Sequence, residues 1–261
     1  MKNLKIRYAC QLGNLIKKIQ HAIQVALVYN YNVIIPYHKY FNTTYIIINP
    51  DVAKSHPCIL DKHDFFIACL IKNIDSNLFF KNKIKEDTMN ILRKIFKIRN
   101  TTHLESTDLL IHIRSGDIFV NPHPGYIVPP LSYFTDIIHK HSFTDIYLVA
   151  EDTRNPCIPK LLELYPKIKF KIQSLEQDID LILGASNIIT TYGSFIPSLL
   201  AISEHVKHIY IPSYAMFDFY IFFEHPTIQI HSTELTAYRD QQTPFQNTTE
   251  QLQRMLTYAL P

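Results

Sequence analysis

Within six residues the chain sets out a histidine, an arginine, a glycine and an aspartate: His112, Arg114, Gly116 and Asp117. Arginine stays charged and presents a fork of donors, which suits the oxygens of a phosphate. His112 and Arg114 are two residues apart, so on an extended segment both side chains leave one face and can converge on one ligand. Gly116 permits a sharp backbone turn, and Asp117 follows it. These residues also have a plain structural reading, with Arg114 and Asp117 as an ion pair at a loop and His112 as a satisfied near-core histidine.

Such a cluster needs a frame to hold it. Residues 109–113 are Leu- and Ile-rich, the pattern of a strand buried on both faces in a parallel sheet. In open α/β sheets ligands bind beyond the carboxyl ends of the strands, where this cluster would lie. Residues 121–130 hold four prolines and a glycine and read as a constrained loop. Beyond it the pattern alternates. Helices are expected over 131–141, 158–165, 176–184 and 194–203, and strands over 145–150, 168–172 and 187–190, with 208–211 as a final strand. Thr248 and Gln251 form a capping box for a terminal helix over 249–260.

The first half repeats the theme more loosely. A strand over 5–10 leads to Gln11, Leu12, Gly13 and Asn14, and then to Leu15, Ile16, Ile19, Ala22, Ile23, Ala26 and Leu27 at helical spacing. Gly13 and Asn14 stand where a glycine turn meets a helix N-terminus, a place for an anion, and a plain turn capped by Asn14 is an equal reading. A strand over 33–35 precedes Pro36. Residues 37–82 are irregular, and 86–98 recover helical spacing. The polar stretch 100–108 marks a boundary between domains 1–105 and 106–261. Repeated β-α alternation implies an α/β fold with parallel sheets, and a ligand would lie in the cleft between two such units. The terminal helix could pack back on the first domain.

With 261 residues the chain can bury the core of one large domain or two small ones. Hydrophobic residues make up 47% and charged residues 19%, which argues against disorder. The formal net charge is only +3, without a lysine or arginine block, so no nucleic-acid partner is expected and an anionic ligand must be drawn by a local site. No apolar run approaches the length of a membrane span, and residues 1–8 lead into no secretory signal, so a soluble or cytoplasmic chain is expected. Cys10, Cys58, Cys69 and Cys157 show neither metal-ligand spacing nor a disulfide framework, and read as reduced thiols. Sequons at Asn42, Asn100 and Asn247 would matter only in a secreted protein.

Four segments stand in a telling order: QLGN at 11–14, HIRSGD at 112–117, AEDTRNP at 150–156 and TTYGSF at 190–195. Together they resemble the fucosyltransferase superfamily, metal-independent enzymes of GT-B fold that include protein O-fucosyltransferases and the α1,2 and α1,6 enzymes. The resemblance covers the first 36 residues and most of the second half, and leaves the middle unmatched. It implies a GT-B-like arrangement of two Rossmann-type α/β domains with the active site in the cleft between them. It implies Arg114 on the β-phosphate of a GDP-sugar, His112 near the guanine, Asp152 at the base, and Ser194 with Phe195 at the pyrophosphate. Gly13, Asn14 and Thr191 join that set as substrate-binding candidates. Where many members carry a second arginine, this chain has Ser115.

The expected chemistry is inverting transfer of a sugar, L-fucose from GDP-fucose, to the hydroxyl of a glycan acceptor. Cleavage of a sugar–diphosphate bond builds negative charge on the leaving group, and Arg114 can stabilise it without a metal. A carboxylate base assists the attack, and Asp117 and Glu151 are its candidates. Asp178 and Asp180 make an Asp-x-Asp, but they precede an apolar run inside an expected helix, so no metal and no cofactor are expected. The alternatives are a UDP-sugar donor, such as UDP-xylose or UDP-galactose, and a non-catalytic nucleotide- or glycan-binding protein of the same fold. An unrelated Rossmann-type protein is disfavoured by the absence of a Gly-x-Gly-x-x-Gly turn.

Overall fold

The structure, a computed structural model, describes residues 3–6, 11–50, 57–60 (backbone only), 81–98 and 102–260. Arg7 to Cys10 of the expected first strand, much of the irregular middle, Cys10 and Cys69, the side chain of Cys58 and the sequon at Asn100 lie outside the described residues. The chain divides into two units, Met1–Arg99 with Pro197–Ser203, and Asn100–Ile196 with Glu204–Pro261.

The first unit contains β1 (Asn3–Ile6), α1 (Leu12–Tyr29), β2 (Asn32–Ile34), β3 (Tyr45–Ile46), β4 (Pro57–Leu60) and α2 (Asn82–Ile95). Its sheet runs β3-β2-β1-β4, with β1 parallel to both neighbours and β3 antiparallel to β2. Leu15, Ile16, Ile19, Ala22, Ile23 and Ala26 are fully buried along α1, as their spacing requires. The helix ends at Asn30, whose φ of 58° is left-handed, a conformation asparagine tolerates better than most residues.

Its start differs from expectation. Gln11 is the N-cap and its carbonyl already accepts the Leu15 N–H at 2.9 Å, so Gly13 and Asn14 lie inside the first turn and Asn14 is not the cap. The Gly13 carbonyl accepts a hydrogen bond from the buried Ser198 hydroxyl at 2.9 Å. Arg93 of α2 donates to the carbonyls of Ile202 (3.3 Å) and Ser203 (2.8 Å), so the segment 197–203 is held at both ends within this unit.

The second unit follows the expected alternation. It contains β5 (Leu109–His112), α3 (Asp117–Val120), α4 (Leu131–Lys140), β6 (Ile146–Val149), α5 (Cys157–Leu164), β7 (Lys169–Phe170), α6 (Leu175–Gly184) and β8 (Asn187–Ile189). Then come α7 (Phe195–Leu200), which begins in this unit, β9 (His208–Pro212), a 3-10 segment (Ser213–Phe222), β10 (Gln229–Thr233), α8 (Thr236–Gln242) and α9 (Thr249–Thr257). All its strand pairs are parallel, in the order β10-β9-β8-β5-β6-β7. Strand β9 is therefore not the last. β10 extends the sheet past it, and its sequence QIHST is half-exposed and polar, so it carries none of the apolar signal of a buried strand. The terminal helix α9 has the expected capping box from Thr248 and Gln251, and it packs on α4 and α5 within its own unit.

Counted from β5, the strand order reads 3-2-1-4-5-6, that of a doubly wound nucleotide-binding sheet. The reversal falls between β5 and β8, where the chain leaves in opposite directions and opens a crevice at the carboxyl edge. Leu109, Leu110 and Ile111 are fully buried, as expected of a strand covered on both faces. At the opposite, amino edge the Asn187 amide donates to the carbonyls of Ser106 (2.8 Å) and Asp108 (2.7 Å), tying β8 to β5. Asn187→Ala leaves the buried Asp108 carbonyl without that donor and should lower stability by about 1–3 kcal/mol, read from the urea unfolding midpoint.

Candidate functional site

Because β5 and β8 are neighbours, the segments that follow them meet. His112 ends β5, and its ring lies 5.9 Å from that of Phe195 at the start of α7. Burial, followed by the charge of Arg114, lowers the His112 pKa to about 3, so its imidazole is neutral at ordinary pH. Its Nδ1 is buried with no hydrogen-bond partner. The Thr191 hydroxyl, two residues past β8, is likewise buried without a partner. Tyr133 of α4 supports this end of β8 by donating to the Thr190 carbonyl at 3.2 Å.

Arg114 projects into the same crevice. It lines one pocket with Ile118, Tyr126, Ile127, Val128, Thr191 and Tyr192. The guanidinium carbon lies over the Tyr126 ring at 4.2 Å, and the Tyr126 and Tyr192 rings are 6.1 Å apart. Gly193, at φ +131°, makes room for the arginine: a Cβ there would come within 2.9 Å of Nη1. Asp117 reaches Arg114 only at 3.5 Å, with 53% of its side chain exposed against 22% for the arginine. A pair of that length and exposure contributes about 0–1 kcal/mol.

The turn between Arg114 and Asp117 is tied to the loop after β6. Ser115 donates to Asp152 Oδ1, which also accepts the N–H groups of Gly116 (3.1 Å) and Arg154 (3.0 Å). The second carboxylate oxygen of Asp152 takes the Arg154 guanidinium. Asn155 completes the knot. Its N–H donates to the Ser115 hydroxyl and its amide to the Arg114 carbonyl, both at 3.0 Å, while its Oδ1 accepts the Cys157 N–H. Gly116 itself has φ +65° and ψ −116°, and a Cβ there would fall 2.1 Å from Glu151 Oε2. Glycine is thus required by backbone conformation, and Glu151 closes over it.

The structure therefore gathers His112, Arg114, Asp117, Asp152, Thr191 and Phe195 at one edge of the second sheet, with Ser194 next to Phe195 in the chain. Gly13 and Asn14 belong to the first unit. Asp152 stands at this edge with its oxygens engaged by the turn. Asp178 accepts from Gln173 at 2.9 Å and Asp180 from the Thr102 hydroxyl at 2.5 Å, both from within or beside α6. Tyr126, Tyr192, Gly193 and Asn155 were not singled out from sequence. Tyr192 and Gly193 lie inside TTYGSF and Asn155 inside AEDTRNP, whereas Tyr126 stands in the proline-rich loop with only its aromatic ring to mark it.

The strand order and this edge define a mixed α/β protein whose second unit is doubly wound in the manner of nucleotide-binding domains. Among solved structures the chain is similar to NodZ α-1,6-fucosyltransferase soaked with GDP-fucose, at 10% identity and a TM-score of 0.45, over 78% of this chain and 93% of that one. It is also similar to NodZ co-crystallised with GDP (11%, 0.43, 80% and 94%) and to NodZ from Bradyrhizobium (11%, 0.45, 80% and 95%). No protein-family model matches the chain, and neither does any curated protein. Among the described residues no helix is long and apolar enough to cross a membrane.

Two outcomes test the local geometry. Burial pushes the Asp152 carboxyl up, but hydrogen bonds from Ser115, Arg154 and Gly116 and the Arg154 charge outweigh it and hold the pKa below the ordinary 3.8. A lowered folded pKa contributes stability that is fully present above the ordinary value and is lost as pH falls through the folded one. The stability gap between the native chain and Asp152→Asn should therefore shrink as urea unfolding is followed from pH 6 to below 3.8. Gly116→Ala should cost about 1–3 kcal/mol of stability by the same measurement, since Glu151 can swing aside but the backbone angle stays unfavourable.

Proposed function

We propose that the second unit binds a nucleoside diphosphate sugar and that the chain transfers the sugar to a glycan hydroxyl, with L-fucose from GDP-fucose as the reaction. The observation that carries this reading is Arg114 at the reversal of the sheet, lining one pocket with Thr191, whose hydroxyl is buried without a partner, as is the Nδ1 of His112 two residues before Arg114 in the chain. Buried polar atoms normally have partners, and a ligand would supply those missing here. The four segments named in the sequence supply the family expectation, and GT-B architecture is part of the same proposal.

Arg114 neutralises the charge that grows on the diphosphate as the glycosidic bond breaks, which lowers the barrier without a metal. His112 stays neutral and acts through a hydrogen bond to the nucleotide. The acceptor hydroxyl attacks the anomeric carbon from the face opposite the leaving group and inverts it, giving up its proton to a carboxylate. Asp117 and Glu151 are the exposed carboxylates beside the Arg114 turn. No other cofactor is required in this scheme.

Arg114→Ala should reduce transfer from GDP-fucose by at least about a hundredfold while leaving the unfolding midpoint near native. Full activity in that variant would remove the arginine from the mechanism. In thermal-shift measurements at equal concentration GDP should raise the melting temperature more than UDP, because the ligand bound more tightly by the folded state stabilises more. A larger shift with UDP moves the donor to a UDP-sugar, and binding of either nucleotide without donor hydrolysis or transfer marks a non-catalytic binder. A chelator in the assay should leave the rate unchanged.

A further inference from the structure

We propose that Tyr126 is the positioning residue that aims Arg114 at the diphosphate, an inference that rests on the nucleotide-sugar reading above. An arginine side chain has several freely rotating bonds and must be held if its donors are to meet phosphate oxygens in one geometry. Asp117 holds it poorly, since their 3.5 Å contact is at the limit of a hydrogen bond and the carboxylate is half in water. The Tyr126 ring lies against the guanidinium at 4.2 Å, within the range of a cation–π contact. A ring neutralises no charge and takes up no N–H in the guanidinium plane, so the fork stays available to a ligand.

The ring is itself fixed. The Tyr126 backbone N–H donates to the His123 carbonyl at 2.9 Å, and the His123 and Tyr126 rings are 4.9 Å apart. The residues on either side are held by carbonyl bonds: Pro124 accepts from the Phe245 N–H (3.1 Å), Ile127 from the Tyr214 hydroxyl (3.2 Å) and Val128 from the Tyr238 hydroxyl (2.9 Å). The proline-rich loop is thus a pinned wall, and it sets the ring at a constant place beside Arg114. Gly193 keeps the space around Nη1 clear, so the contacts around the guanidinium restrict its orientation.

Calorimetric titration checks this, using whichever of GDP and UDP the native chain prefers and the matching nucleoside. Tyr126→Leu should weaken diphosphate binding roughly fivefold to twentyfold and nucleoside binding less than about twofold, while Tyr126→Phe, which keeps the ring, stays close to native. In an Arg114→Ala background the same Tyr126→Leu change should add less than about twofold, because the ring acts only through the arginine. Equal losses for nucleoside and diphosphate, or an undiminished loss without Arg114, overturn the inference. A series of phenylalanines with one to three ring fluorines at position 126 keeps the shape while weakening the ring's negative face, and covers the case in which Tyr126→Leu does not fold. Affinity should fall stepwise along it, and a flat series overturns the proposal. If Arg114→Ala weakens the diphosphate but the Tyr126 variants do not, this inference falls and the nucleotide-sugar reading stands. If the native chain binds neither nucleotide, or Arg114→Ala binds as well as native, both fall.

Discussion

Everything at the candidate site depends on β5 having a parallel neighbour on each side. Its backbone groups are spent in two ladders and its side chains in two apolar layers, so it can offer chemistry only where it ends. The sheet reverses its winding between β5 and β8, the place where doubly wound sheets bind ligands, and the first residues after those two strands lie side by side there. The crevice follows from strand order alone. Its contents follow from which residues come next.

Two of those residues are held in different ways. Arg114 has a 3.5 Å contact to Asp117 and the Tyr126 ring beside it, while the Asp152 carboxylate, equally half-buried, is engaged on both oxygens. Four groups turn toward Asp152: the Ser115 hydroxyl, the N–H groups of Gly116 and Arg154, and the Arg154 guanidinium. Ser115 thereby helps shape the turn. The knot fixes where the backbone leaves β5, and with it the starting direction of the arginine side chain. A carboxylate so engaged has little capacity left for a substrate, whereas Asp117 and Glu151 are exposed at the same turn.

Much of the fold was legible because its strongest signals are local. Strand β5 reads as a continuous apolar run, α1 as a 3.6-residue period and α9 as a capping box, and each is present within a few residues of its expected bounds. Strand β10 was missed because a half-exposed edge strand has no need of apolar residues. The start of α1 was misjudged because glycine and asparagine resemble a turn, whereas the backbone ladder already begins at Gln11. Tyr126 escaped notice because an aromatic residue in a proline-rich loop reads as packing, and nothing twelve residues from Arg114 announces that the two will touch.

By itself the sequence determined which residue types stand at the ends of the strands: a neutral-capable histidine, a permanent cation, a glycine turn, a carboxylate, and a threonine followed by Tyr-Gly-Ser. These are properties of neighbours in the chain, decided by covalent order and by local hydrophobic period. Only the tertiary structure decided that β8 lies beside β5, that the Thr191 hydroxyl and the His112 Nδ1 are buried without hydrogen-bond partners, that Asp152 is bound by the turn after β5, and that a tyrosine ring covers the arginine. Those outcomes depend on the direction of crossovers and on packing between segments tens of residues apart, and no window along the chain contains them.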